Sequence, residues 1–230
     1  MSLSGAVKKV RSAIQEAQNN AGLSHHVEII AVTKSHPAEA VVRSFKAGLI
    51  HIGENKVQEA RQKFNSPNIY SLPIVKRMIG RLQSNKVNKA VGIFDYIDTI
   101  NSLSLGRKIS TSAKGQSKIV KALLQINTSN EPGKSGFSDI ETDEMLECCE
   151  LTNISVEGLM TMGPYGGTES EIRKSFESLR LLKETLNAQL KNPPLNELSM
   201  GMSGDYRLAV EEGSTMVRLG TALLGPRATK

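Results

Sequence analysis

Glu28-Ile29-Ile30-Ala31-Val32-Thr33-Lys34 is an apolar run that ends on a lysine, and both the fold and the site turn on how it is read. The run is too short for a helix, and its lack of polar alternation fits a strand covered on both faces. A lysine at the tip of such a strand lies where it can be dry. Desolvation makes an ammonium give up its proton more easily, and the neutral amine attacks an aldehyde to form a Schiff base. Taken alone, Lys34 fits equally a lysine that follows a strand and reaches water along its aliphatic stem. Its neighbours decide.

Working outward from that strand, short apolar runs alternate with amphipathic stretches. Upstream, Val7, Val10, Ile14 and Ala17 stand at helical spacing and Gly22 stops the helix. Downstream, a helix is expected from Pro37 to before Gly48, a strand at 49–53, a helix near 55–64, and a strand around 75–80 with a short helix after Ser84. A strand at 93–99 and a helix near 101–112 come next, then a strand at 119–126 and a helix near 139–150. The sixth strand, Val156 to Met160, precedes a helix at about 169–190, and the seventh, Glu197 to Met200, precedes a short helix near 205–212. Met216 to Leu219 is the eighth. Eight strands alternating with helices predict a (β/α)8 TIM barrel with an extra N-terminal helix, in one domain spanning 1–230. Pro73 and the Lys76-Arg77 pair interrupt the third strand, and Pro193-Pro194 reads as a loop rather than a boundary.

The chain's 230 residues, 39% hydrophobic and 23% charged, describe an ordinary globular composition that needs no staples. The amino terminus lacks an apolar signal core and no run approaches a membrane span, so a cytoplasmic protein is expected. Cys148 and Cys149, adjacent in a helical stretch, suit neither a disulfide nor a metal site. His25, His26, His36 and His51 have no metal-like spacing. A net charge of +6 is spread along the chain and aromatic residues are only 4%, which argues against nucleic acid and for an anionic small ligand.

In a barrel of this kind the βα loops converge at the C-terminal ends of the strands. Polar and glycine-rich clusters occur at most of those ends: Lys34, Gly53-Glu54-Asn55, Gly80-Arg81-Leu82-Gln83, Asn127, Gly201-Met202-Ser203-Gly204 and Gly220-Thr221. Ser203-Gly204 before a helix and Gly220-Thr221 after the last strand supply hydroxyls and free amides after strands seven and eight, the usual phosphate position. Arg218 lies inside the eighth strand, where a guanidinium pointing inward needs an acceptor. A phosphorylated aldehyde with a ring acceptor meets all three demands, and pyridoxal 5′-phosphate (PLP) is such a molecule. A barrel acting on a phosphorylated sugar would use the same cup but leaves the arginine unexplained. Gly133-Lys134-Ser135 is not a nucleotide loop, because Thr128 stands where its upstream glycine belongs. Gly163 to Gly167 reads as a connection, and Met200 with Met202 as barrel filling.

With these residues in view, the chain resembles the pyridoxal phosphate homeostasis protein family, single barrels similar to the amino-terminal barrel of bacterial alanine racemase. The resemblance rests on Ala31 to Lys34, Gly53 to Glu59, Ile79 to Lys86, Ile126-Asn127 with Glu131, Lys134, Ser135 and Gly136, Gly158 to Met160, Leu198 to Ser203, and Gly213 to Thr221. It implies that Lys34 carries the cofactor as a Schiff base, that Asn55 lies close to it, that Ser203, Gly220 and Thr221 hold the phosphate, and that Arg218 faces the pyridine nitrogen. Where the family has a Trp-His pair before Ile79-Gly80, this chain has Lys76 and Arg77. An arginine at the ring nitrogen leaves it unprotonated and weakens carbanion chemistry. The tyrosine base of alanine racemases belongs to a further domain that would have to follow Gly225, whereas this sequence ends at Lys230. The expectation is a monomeric carrier that buffers PLP or delivers it to apoenzymes; a small PLP-dependent amino-acid racemase is the alternative.

Overall fold

Each of the eight apolar runs forms a strand, and all eight pair in parallel and in chain order into a closed barrel. The computed structural model describes residues 2–129, 131, 133, 135–191 and 193–226. The strands are β1 (Glu28–Val32), β2 (His51–Glu54), β3 (Val75–Met78), β4 (Tyr96–Ile100), β5 (Val120–Gln125), β6 (Ile154–Met160), β7 (Glu197–Met202) and β8 (Met216–Leu219). The helices are α1 (Leu3–Ala21), α2 (Glu39–Lys46), α3 (Val57–Phe64), α4 (Pro67–Tyr70), α5 (Val87–Ile93), α6 (Leu103–Gly115), α7 (Thr142–Glu150), α8 (Glu169–Asn187), α9 (Tyr206–Glu211) and α10 (Thr221–Leu224). Among the described residues no helix is long and apolar enough to cross a membrane.

The expected extra helix is α1. Ser2 caps it by accepting from the Gly5 amide, and Gly22 at φ 67° ends it in the left-handed region, where a glycine is least costly. Its buried stripe Leu3, Val7, Val10, Ile14 and Ala17 faces α9 and α10. Strand alternation then divides the apolar residues in two. Ile29 and Ala31 join the layer between sheet and helices, while Ile30, Leu123, Met160 and Met216 form a separate cluster in the barrel interior. β1 closes on β8 with Ile30 opposite Arg218, which fixes which side chains share the inward face.

β1 and β3 both end before their sequence runs do. β1 stops at Val32 because the next residues leave the ladder: the Thr33 amide still donates to Gly53 O at 3.1 Å, but Ser35 adopts φ 62°. Lys34 therefore stands in the turn just beyond the strand. β3 ends at Met78, and its inward Arg77 is fully buried. Arg77 donates to both oxygens of Asp98, at 2.8 and 3.0 Å, and lies 3.7 Å from the centre of the Tyr96 ring. The charge that interrupts the third run is thus tolerated because β4 supplies its counter-ion.

Candidate functional site

The period of two in a strand carries the inward face of β1 from Ile30 through Val32 to Lys34, and that of β8 from Met216 through Arg218 to Gly220. Those faces meet at the C-terminal mouth. There, Lys34, Asn55, Ser203, Arg218, Gly220 and Thr221 line one cavity of about 250 Å³. All six residues singled out in the sequence come together. Ile79, Met162 and Met202 supply its apolar wall. Met202, 40% exposed, does not fill the barrel as its spacing suggested, because an irregularity between Ser199 and Met202 turns the end of β7, and Met200 packs outside the sheet because its neighbour Ser199 takes the inward position.

Lys34 is held from both sides of its backbone. Thr33 Oγ1 donates to Glu54 Oε1 at 2.6 Å, Lys63 Nζ donates to Thr33 O at 2.7 Å, and the Ser35 amide donates to Glu59 Oε1 at 2.6 Å. Lys63 pairs with both carboxylates, Glu54 at 2.7 Å and Glu59 at 2.8 Å. Burial pushes the Glu54 carboxyl above its ordinary value. Partial burial acts the same way on Glu59, but hydrogen bonds from Lys63 and the Ser35 amide outweigh it and leave that group lowered. Glu54 lies behind the mouth, between barrel and α3, so only its neighbour Asn55 reaches the cavity.

Asn55 is pinned by close contact with the next loop. A Cβ on Gly80 would sit 2.4 Å from Asn55 O, so only glycine lets the loops after β2 and β3 approach this closely. Asn55 Oδ1 is buried and has no hydrogen-bond partner, an acceptor that a ligand donor would satisfy. Across the cavity, Ser203 Oγ accepts from the Ala222 amide at 3.1 Å, which ties the loop after β7 to the start of α10 and leaves the hydroxyl proton for another acceptor. Nothing lies within 4 Å of a Cβ built on Gly204. Gly201, at φ 91° and packed on Ala209 and Tyr206, turns the chain into this loop.

Arg218 points inward as expected, but the protein itself supplies acceptors. Nη1 donates to Ser199 O at 2.7 Å and Ser199 Oγ at 2.8 Å, and Nη2 to Thr161 O at 2.6 Å. Nε takes part in none of these bonds. Burial pushes the guanidinium down to about 10, with Asp98 and Asp205 opposing, so it stays cationic at neutral pH. Its anchor Thr161, and Lys63 behind Lys34, lie in none of the motifs read from the sequence; Ser199 and Glu59 lie within them, but nothing in the sequence assigned them a role. Lys134 lies outside the described residues. Burial raises the Cys148 and Cys149 thiols to about 12, as suits inert packing residues.

A closed eight-stranded barrel with a lysine beyond β1 and a small polar cup after β7 and β8 defines the alanine racemase type of barrel, and the family model for the alanine racemase N-terminal domain matches residues 7–228. A pyridoxal phosphate homeostasis protein from Vibrio alginolyticus is 35% identical over 226 residues, covering 96% of each chain. The protein of that name from Homo sapiens is 38% identical over 209 residues, covering 86% of this chain and 76% of its own. The solved structure of PipY from Synechococcus elongatus PCC7942 with PLP bound has a TM-score of 0.86 at 34% identity, covering 97% of this chain and all of its own. Alanine racemase from Clostridium difficile 630 shares the fold, with a TM-score of 0.73 at 16% identity over 95% of this chain and 58% of its own. The chain belongs to the pyridoxal phosphate homeostasis protein family, within the alanine racemase N-terminal domain class.

Proposed function

We propose that the protein binds pyridoxal 5′-phosphate in the cavity between β1 and β8 and serves vitamin B6 homeostasis, buffering the cofactor and delivering it to apoenzymes as a cytoplasmic monomer. The observation that carries this reading is the convergence of Lys34, Asn55, Ser203, Arg218, Gly220 and Thr221 on one cavity. The names of the relatives and the PLP bound to PipY support it.

The residues fit the cofactor. Ser203, Gly220 and Thr221 would hold the phosphate through hydroxyls and amides, and the open space at Gly204 admits it. Asn55 Oδ1 is an unmatched acceptor for a ligand donor. Arg218, cationic and anchored on Ser199 and Thr161, would face the pyridine nitrogen and keep a proton off it. When bound, the cofactor supplies an aldehyde and an electron-withdrawing ring. Lys34 would be the amine that meets the aldehyde, and its backbone is set in place by the bonds to Thr33 and Ser35. Among the described lining residues, Lys34 supplies the one amine, and no carboxylate, histidine or tyrosine is present. Carrier work needs no more than that, whereas racemisation needs a second base on the opposite face.

Borohydride reduction followed by peptide mass spectrometry tests the reading. The cofactor mass is expected on Lys34, and Lys34→Ala is expected to lose the visible absorption. An adduct found elsewhere, or unchanged in Lys34→Ala, removes Lys34 from the site. Racemisation of added amino acids at roughly 1 per second or faster would replace the carrier by an enzyme.

A further inference from the structure

The loops that follow β2, β3 and β4 enclose a second, polar cleft of about 810 Å³ beside the cofactor cavity. Its charged lining consists of Lys56, Arg81 and Lys86, and no carboxylate faces it. Other cations of the chain, such as Lys63, Arg77, Lys121 and Arg173, pair with acids. Among the described residues Lys56, Arg81 and Lys86 form no ion pair. Three like charges gathered in one concavity repel each other, and an anion would relieve that repulsion. α6 starts in the same wall. Ser102 caps it through the Leu105 amide at 3.3 Å and its first turn holds no acid, so no carboxylate offsets its positive end.

The rest of the lining narrows the class of occupant. Gln83 and Asn101 offer amides, and no aromatic ring is available for stacking a base. The volume falls in the range of small-molecule sites. We infer that the cleft is a second ligand site, for a small non-aromatic molecule carrying two or more phosphate charges. Asn55 lines both cavities, so the occupant lies against a residue that also borders the cofactor site.

The test is calorimetric titration of the cofactor-loaded protein with inorganic pyrophosphate at fixed ionic strength. Visible absorption checks the loading first, so a failure to bind cofactor is registered separately from a failure of the cleft. One saturable site is expected, weakened roughly tenfold or more by Arg81→Gln and by Lys86→Gln. Lys9→Gln removes the same charge from an exposed position on α1 and is expected to stay within about twofold of the parent. Unchanged unfolding temperatures establish that the variants fold. Absence of saturable binding, or an equal loss in Lys9→Gln, would reduce the cleft to diffuse surface charge. A short polyglutamate peptide that bound more tightly than pyrophosphate, with the same dependence on Arg81 and Lys86, would overturn the small-molecule assignment in favour of an acidic protein segment.

Discussion

Lys63 is buried on α3 and neutralises Glu54, which has no solvent exposure. Removing one member of a buried ion pair leaves an uncompensated charge, which costs about 3–5 kcal/mol. Lys63→Met is therefore expected to lower stability in denaturant titrations by that order, while the double variant Lys63→Met with Glu54→Gln recovers much of it. Full stability in the single variant would mean that the pair contributes little. The pH dependence has opposite signs at the two carboxylates. Glu54, raised by burial, takes up its proton more readily when folded, so its contribution falls as pH rises from the unfolded towards the folded value. Glu59, lowered overall, contributes stability that is present above its unfolded value and lost as pH falls through the folded one. At the cup, Ser203→Ala and Thr221→Val are each expected to weaken PLP binding by roughly 1–3 kcal/mol and to leave unphosphorylated pyridoxal unaffected. Equal losses for both ligands in a spectroscopic titration would place the phosphate elsewhere.

At the scale of elements, the informative pair is β3 and β4. A strand with a lysine and an arginine in its middle conflicts with a buried sheet, and the run reads weakly for that reason. The structure resolves the conflict by directing Lys76 towards the Phe64 ring at 5.7 Å and Arg77 inward onto Asp98 and Tyr96. Tyr96 in turn donates to Glu157 at 2.8 Å, which links the lower barrel from β3 to β6. Asp98→Asn is expected to destabilise the protein by about 3–5 kcal/mol, because Arg77 stays buried without its counter-charge. The combined change Arg77→Leu and Asp98→Leu should cost much less, since an apolar pair of similar volume replaces the ions. Thermal unfolding of the three variants checks this, and a double variant less stable than Asp98→Asn would contradict it.

For the whole molecule, α1 decides whether barrel and N-terminal helix form one cooperative unit. Its buried stripe covers α9 and α10, the elements that follow the two cup-bearing loops. Burying a side chain such as Leu3, Val7, Val10 or Ile14 contributes about 1.5–3 kcal/mol. Val10→Asp is expected to lower the unfolding temperature and to increase amide exchange in α9 and α10 before the strands β4 and β5 are affected. Unchanged exchange in α9 and α10 would make α1 an independent appendage.

The sequence by itself determined the order of strands and helices, the extra first helix and the polar clusters at the strand ends, from which the family resemblance selected the candidate site residues. Such features are local: a strand is marked by its apolar run, a helix by its spacing and caps, and a mouth residue by its position just after a strand. Tertiary structure alone decided which charges meet. The Arg77–Asp98 pair, the carbonyls that anchor Arg218 and the bond from Lys63 to Thr33 O behind Lys34 join residues far apart in the chain. Their partners are set by barrel closure and strand register, and no spacing in the sequence encodes either.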